Sequence, residues 1–185
     1  MMTEISLNIL DVAQNSVRAN SKLTEITVNT QFDKDILEVI IKDDGHGMSE
    51  EQLKNVTDPF FTTRTTRKIG LGIPFFKFAA KITGGEFSIT STFDVGTIVR
   101  ATFGLSHIDR MPLGDMTSTI HMLVTMNIDI DFLYTYRVND RQFELDTRIF
   151  REILDDIPFN TPDVSDYIKE YLEQNKKEID NELII

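Results

Sequence analysis

An α+β two-layer sandwich with an acidic C-terminal α+β extension is the fold that this sequence predicts. Three observations lead there. Helical and strand periodicities follow one another in the order αββ, a long loop, then αββ again. The chain is 41% hydrophobic, enough to bury a core, and holds no cysteine, which excludes a disulfide framework and a thiolate metal site. Its charge is also unevenly placed. Residues 1–106 carry 13 Asp and Glu against 11 Lys and Arg, whereas residues 107–185 carry 17 against 8, a net of −9.

The first helix is expected from Ile5 to about Ala19, with Thr3 as its N-cap. Ile5, Ile9, Val12, Ala13 and Val17 share one side at 100° per residue, and Leu7 and Leu10 lie nearly opposite. Between them runs a polar stripe of Asn8, Asp11, Asn15 and Arg18. A helix apolar over most of its circumference is buried, so its polar stripe must face satisfied partners or a polar pocket.

Strands are expected at Glu25–Thr30 and Ile36–Lys42, joined by a turn at Phe32-Asp33-Lys34-Asp35. "DDGHGM" breaks the second strand, and Ser49 to Gln52 reads as a capped helix start. A long loop, "DPFFTTRTTRKIGLGIP", runs from Asp58 to Pro74 and carries the positive cluster of Arg64, Arg67 and Lys68. A helix beginning near Pro74 is expected to bury Phe75, Phe78, Ala79 and Ile82 and to stop at Gly84-Gly85. Strands at Glu86–Thr92 and Thr97–Leu105 follow, turning at Asp94-Val95-Gly96.

Beyond Leu105 a helix is expected over Met116–Met126 after Asp115. A hairpin of Phe132–Val138 and Gln142–Asp146 turns at Asn139-Asp140, and helices follow at Thr147–Leu154 and Val164–Lys177. This part reads either as a separate small module or as an extension of the first sheet. Its acidity argues against nucleic-acid binding and suits a partner protein with a basic surface. No apolar run approaches the roughly 20 residues of a membrane span, and the N-terminus lacks signal-peptide features. The expectation is a soluble, cytoplasmic protein.

Four pieces stand in order: "DVAQNS", "DDGHG", "DPFFTTR" with "GLGIP", and "VGTIV". Together they resemble the Bergerat-fold (GHKL) ATPases, which include histidine kinases, gyrase B, Hsp90, MutL and anti-sigma serine kinases. The resemblance covers about residues 4–105 and implies binding of ATP with Mg²⁺ under a lid. It implies that Asp43, rather than Asp44, meets the exocyclic amine of adenine. Gly45 and Gly47 would allow close backbone approach with positive φ, and Met48 would wall the purine. Asn15 would be the magnesium ligand.

Asp11 stands one turn earlier, where hydrolysing relatives carry a glutamate base. It is one methylene shorter, and three roles stay open: activating water, holding the metal, or a hydrogen bond within the stripe. Arg18 stands where many histidine kinases contact phosphate, or is an exposed helix residue. Phe60 and Phe61 resemble the phenylalanine box. Thr63, Arg64 and Lys68 would meet phosphates, with Gly70, Leu71 and Gly72 as the second glycine box at a helix start. Gly96 and Thr97 match the element near the base.

None of His46, His107 and His121 lies in a helical pair upstream of the nucleotide motifs, so a member without a sensor-kinase dimerisation hairpin is expected, with a homodimer left open. A protein kinase or a regulatory ATPase leads, and a non-catalytic ATP-dependent switch is the alternative.

Overall fold

The computed structural model describes residues 3–58, 71–155, 157–183 and 185. The first half runs α1 (Ile5–Arg18), β1 (Leu23–Gln31), β2 (Ile36–Asp43), α2 (Glu50–Asn55), α3 (Gly72–Ile82), β3 (Phe87–Thr92) and β4 (Gly96–Gly104). The second continues α4 (Met116–Met126), β5 (Asp131–Val138), β6 (Arg141–Asp146), α5 (Thr147–Leu154) and α6 (Pro162–Asp180). The α+β layered class expected from the sequence is what the chain adopts.

One six-stranded sheet has the order β3-β4-β2-β1-β5-β6. All neighbours are antiparallel except β1 and β5, which run parallel from Leu23 opposite Asp131 to Thr30 opposite Val138. The acidic segment therefore extends the first sheet. The charge change near residue 107 falls within a continuous sheet and a continuous core.

Alternation along the strands sends Ile26, Val28, Leu37, Val39, Ile41, Val99, Ala101 and Phe103 into that core, together with Phe132, Tyr134 and Tyr136 of β5. Helices α1, α3, α4 and α6 cover this face. The opposite face carries charge ladders such as Lys42–Glu25 at 2.6 Å and Arg100–Glu38 at 2.7 Å, the division expected of a sheet solvated on one side.

Two local expectations change. Glu4, not Thr3, is the N-cap of α1, and no side chain caps it; the backbone N–H groups of Ile5 and Ser6 donate to the carbonyls of Pro112 and Leu113 instead. Helix α3 buries Ile73, Phe76, Ala79 and Ala80, while Phe75, Phe78 and Ile82 are exposed. Both sets obey helical spacing. Phe76 wins the core because it meets Phe87 and Phe103 at 6.4 and 5.7 Å between ring centroids.

Under the second half lies a fully buried carboxylate. Asp180 accepts from the Tyr136 hydroxyl at 3.1 Å, from Lys176 Nζ at 2.5 Å and from the Glu182 backbone N–H at 2.9 Å. Burial, and then the neighbouring Asp180 charge, push the Tyr136 phenol well above its usual range.

Candidate functional site

A cavity of about 220 Å³ opens between α1, the end of β2 and the start of α3. Its walls are mostly apolar, with Val12, Ile41, Met48, Ile73 and Val99 among them. Asn15, Arg18, Asp43 and Thr97 supply the convergent polar groups, which is the composition of a small-molecule site.

The strand register assembles the polar wall. Asp43 of β2 stands directly opposite Thr97 of β4, and Thr97 directly opposite Ser91 of β3. Residues paired in register share a face, so the three form one row across three strands. Both Asp43 oxygens are engaged from below: Ser16 donates its hydroxyl to Oδ2 at 2.8 Å, and the Gly45 backbone N–H donates to Oδ1 at 3.0 Å. The carboxylate is thus held in a fixed orientation, each oxygen keeping a lone pair for an incoming donor. Asp44 serves elsewhere, its Oδ1 accepting from the backbone N–H groups of Lys22 and Leu23 at 2.7 and 2.9 Å.

The loop after β2 is shaped by close backbone approach. Gly47 has φ +64°, and a Cβ there would stand 2.1 Å from the Thr92 carbonyl oxygen. Gly45, expected to share that conformation, does not have positive φ. Its constraint is packing, since a Cβ would lie 2.6 Å from that of Ala19. The loop is fastened through both backbone groups of His46: its N–H donates to Ala19 O at 2.9 Å, and Asp94 N–H donates to His46 O at 2.8 Å. The His46 ring folds back on its own loop, with Nδ1 and Gly47 O 2.7 Å apart; a carbonyl only accepts, so Nδ1 carries the proton.

On the helix side, Arg18 donates to Asn15 Oδ1 at 3.0 Å. Arg18 is exposed and also lines the cavity. Asp11 is not among the lining residues. Its carboxylate lies against the start of α3, where a Cβ on Gly72 would come within 2.3 Å of Oδ2.

Of the residues singled out from sequence, Asn15, Arg18, Asp43, Gly47, Met48, Gly72 and Thr97 line this one cavity, and Gly45 sits beneath Asp43. Leu71 is the N-cap residue of α3 and lies outside the lining. Phe60, Thr63, Arg64, Lys68 and Gly70 lie outside the described residues. Sequence reasoning missed Ser16 and Ser91. Ser16 stood beside Asn15 on the helix, and counting outward from the Asp94-Val95-Gly96 turn would have placed Ser91 opposite Thr97.

Among the described residues, no group of three or more His, Cys, Asp or Glu could hold a metal on its own, and no helix is long and apolar enough to cross a membrane.

Comparison with known proteins completes the picture. The family model described as histidine kinase-, DNA gyrase B-, and HSP90-like ATPase matches residues 3–107. A chain named as a sensor protein from Shewanella frigidimarina is 33% identical over 107 residues, covering 57% of this chain and 16% of that one. Sporulation kinase C of Bacillus subtilis is 28% identical over 96 residues, covering 52% of this chain and 22% of the kinase. The chain therefore spans about a fifth or less of the length of these relatives. Among solved structures, the Aquifex aeolicus MutL ATPase domain complexed with ADP aligns with a TM-score of 0.53 at 14% identity. That alignment covers 84% of this chain and 70% of that one, so the fold likeness reaches past residue 107.

Proposed function

Because the chain belongs to the histidine kinase-, DNA gyrase B- and HSP90-like ATPase family, we propose that it binds ATP in the cavity between α1, β2 and α3, and uses the nucleotide to phosphorylate or regulate a partner protein. The observation that carries this reading is Asp43, an acceptor held by Ser16 and Gly45 at the edge of an apolar pocket. An amine on a flat apolar ligand satisfies such a group. A carbonyl in the same place leaves two acceptors facing each other, which is costly when buried.

The phosphates leave toward Asn15, Arg18 and the start of α3, whose positive helix end favours anions. The donor set fits magnesium only as a partner of the nucleotide. Asn15 Oδ1 is a hard oxygen with no cluster of carboxylates around it among the described residues, so phosphate oxygens and water would complete the shell. Magnesium, when bound, neutralises phosphate charge. Asn15 supplies one oxygen, and Arg18, now bonded to that oxygen, is placed to move to a phosphate.

One observation favours the non-catalytic switch as a second reading. Asp11 packs against Gly72 instead of lining the cavity, the position of a tie between α1 and α3 more than of a base aimed at water. In either reading the partner is a protein, met through the acidic segment of residues 107–185, and the setting is the cytoplasm. A homodimer is compatible with both, and neither a nucleic acid nor a membrane is involved.

Titration calorimetry with Mg-ATP tests the proposal. Asp43→Asn keeps the shape but removes one charged acceptor, and is expected to weaken ATP by roughly 10- to 100-fold without changing the unfolding transition. Unchanged ATP affinity in Asp43→Asn sinks the reading. Radiolabel on a co-purified protein marks a kinase and phosphate release marks an ATPase. Tight binding with no turnover marks the switch.

A further inference from the structure

We propose that Ser91 is a positioning residue that sets the base preference of the cavity, fixing the Thr97 hydroxyl proton so that the polar wall offers only acceptors and selects a 6-amino purine over a 6-oxo purine. This rests on the reading of the cavity as a purine-nucleotide site.

Ser91 Oγ has three neighbours: the Met48 backbone N–H at 2.9 Å, the Gly96 carbonyl oxygen at 3.0 Å and Thr97 Oγ1 at 2.9 Å. Met48 can only donate and Gly96 O can only accept. The single Ser91 proton therefore goes to Gly96 O. The contact with Thr97 is then a hydrogen bond only if Thr97 donates to Ser91. The reverse arrangement would spend the Ser91 proton on Thr97 and leave two bare oxygens 3.0 Å apart at Gly96.

With its proton turned toward β3, Thr97 shows the cavity lone pairs alone. Its register neighbour Asp43 is likewise an acceptor, both of its oxygens already taking bonds from Ser16 and Gly45. The two side chains make one acceptor-only patch on the wall of the pocket. An exocyclic amine suits that patch, and the 6-oxo group of hypoxanthine or guanine meets it oxygen to oxygen. Ser91 itself is not among the lining residues, so it acts through Thr97.

The test measures Kd for Mg-ATP and Mg-ITP, which differ at the 6-substituent and the N1 proton that accompanies it, in five chains. Wild type is expected to prefer ATP. Ser91→Ala frees the Thr97 proton to turn into the cavity and meet a 6-oxo group, so the ATP-over-ITP ratio should fall by roughly three- to tenfold. Ser91→Thr keeps the hydroxyl and should retain the wild-type ratio. Adding Thr97→Val to Ser91→Ala should leave the ratio where Thr97→Val alone puts it, because no proton remains to be steered. A purely structural role for Ser91 would lower both affinities together and leave the ratio unchanged, and that result overturns the proposal by itself. Failure of the wild-type chain to bind either nucleotide overturns it together with the ATP reading.

Discussion

Gly72→Ala should change sign as a stability mutation depending on what occupies position 11. Gly72 opens α3 without positive φ, so alanine meets no backbone strain there. Replacing a helical glycine by alanine ordinarily stabilises by up to about 1 kcal/mol, less at a first position. The new Cβ, however, would stand 2.3 Å from Asp11 Oδ2 and 3.0 Å from its Cγ. Real contacts of this kind seldom fall below about 3.4 Å, and the half-buried Asp11 side chain is short, leaving it little room to swing aside. Overpacking of this kind costs about 1–3 kcal/mol. In the wild-type background the substitution should therefore destabilise by about 1–2 kcal/mol. With Asp11→Ala already in place the obstacle is gone, and the same substitution should stabilise by about 0.5 kcal/mol. Urea unfolding of the four chains of this cycle measures both steps. A coupling of about 2 kcal/mol is expected, and effects that agree in sign and magnitude to within about 0.5 kcal/mol would refute the contact.

Phe76→Ala, which empties the pocket between Phe87 and Phe103, should cost about 3–5 kcal/mol in chemical denaturation, whereas Phe78→Ala, at 62% exposure, should cost under about 0.5 kcal/mol. Gly47→Ala combines a left-handed φ with a clash on the Thr92 carbonyl, and should weaken nucleotide binding measured by calorimetry at least about tenfold through displacement of the Met48 loop. The raised Tyr136 phenol carries a pH signature. Its folded value lies above the unfolded value near 10, so its contribution is complete below about pH 10 and is lost as pH rises further. Stability there should fall by about 1.4 kcal/mol per pH unit for each such phenol, and Tyr136→Phe should make the alkaline slope of urea midpoints shallower by one phenol. An unchanged slope would show that Tyr136 titrates normally.

Strands and helices were legible wherever one period dominated. The β5–β6 hairpin and the helices begun by Asp115 and Asp146 follow directly from turn and cap residues. Helix α3 was less so, because Leu71, Phe75, Phe78 and Ile82 repeat with the same period as Ile73, Phe76 and Ala80. Periodicity reveals that a stripe exists. Only the sheet beneath decides which stripe is covered. At the candidate site, Asn15 was picked out by the polar stripe of an otherwise apolar helix, and Asp43 and Thr97 by the glycines near them, while the two serines were not. Ser16 and Ser91 are ordinary residues whose meaning comes from register, one beneath Asp43 and one opposite Thr97. The placing of residues 107–185 was open for a similar reason, since the parallel pairing of β5 with β1 spans a hundred residues of chain and leaves no local trace.

That pairing bears on how an acidic chain could hold the polyanion proposed for its cavity. Asp43 and Thr97 stand on β2 and β4, and β1 separates them from β5 and β6. Strands lie about 4.8 Å apart, so β5 is about 10 Å from β2 and β6 about 15 Å. The Debye length at physiological ionic strength is about 8 Å. Asp131, Glu144 and Asp146, the acidic residues of β5 and β6, therefore begin about one screening length from Asp43, and the sheet order carries β6 farther from the cavity. Placed on the β3 edge, the same charge would have lain beside the cavity mouth. The sheet order places the β5–β6 edge, with Asp131, Glu144 and Asp146, away from the cavity proposed to hold ATP. If ATP binds there as proposed, Arg18 at the cavity wall is positioned to govern how its affinity responds to salt.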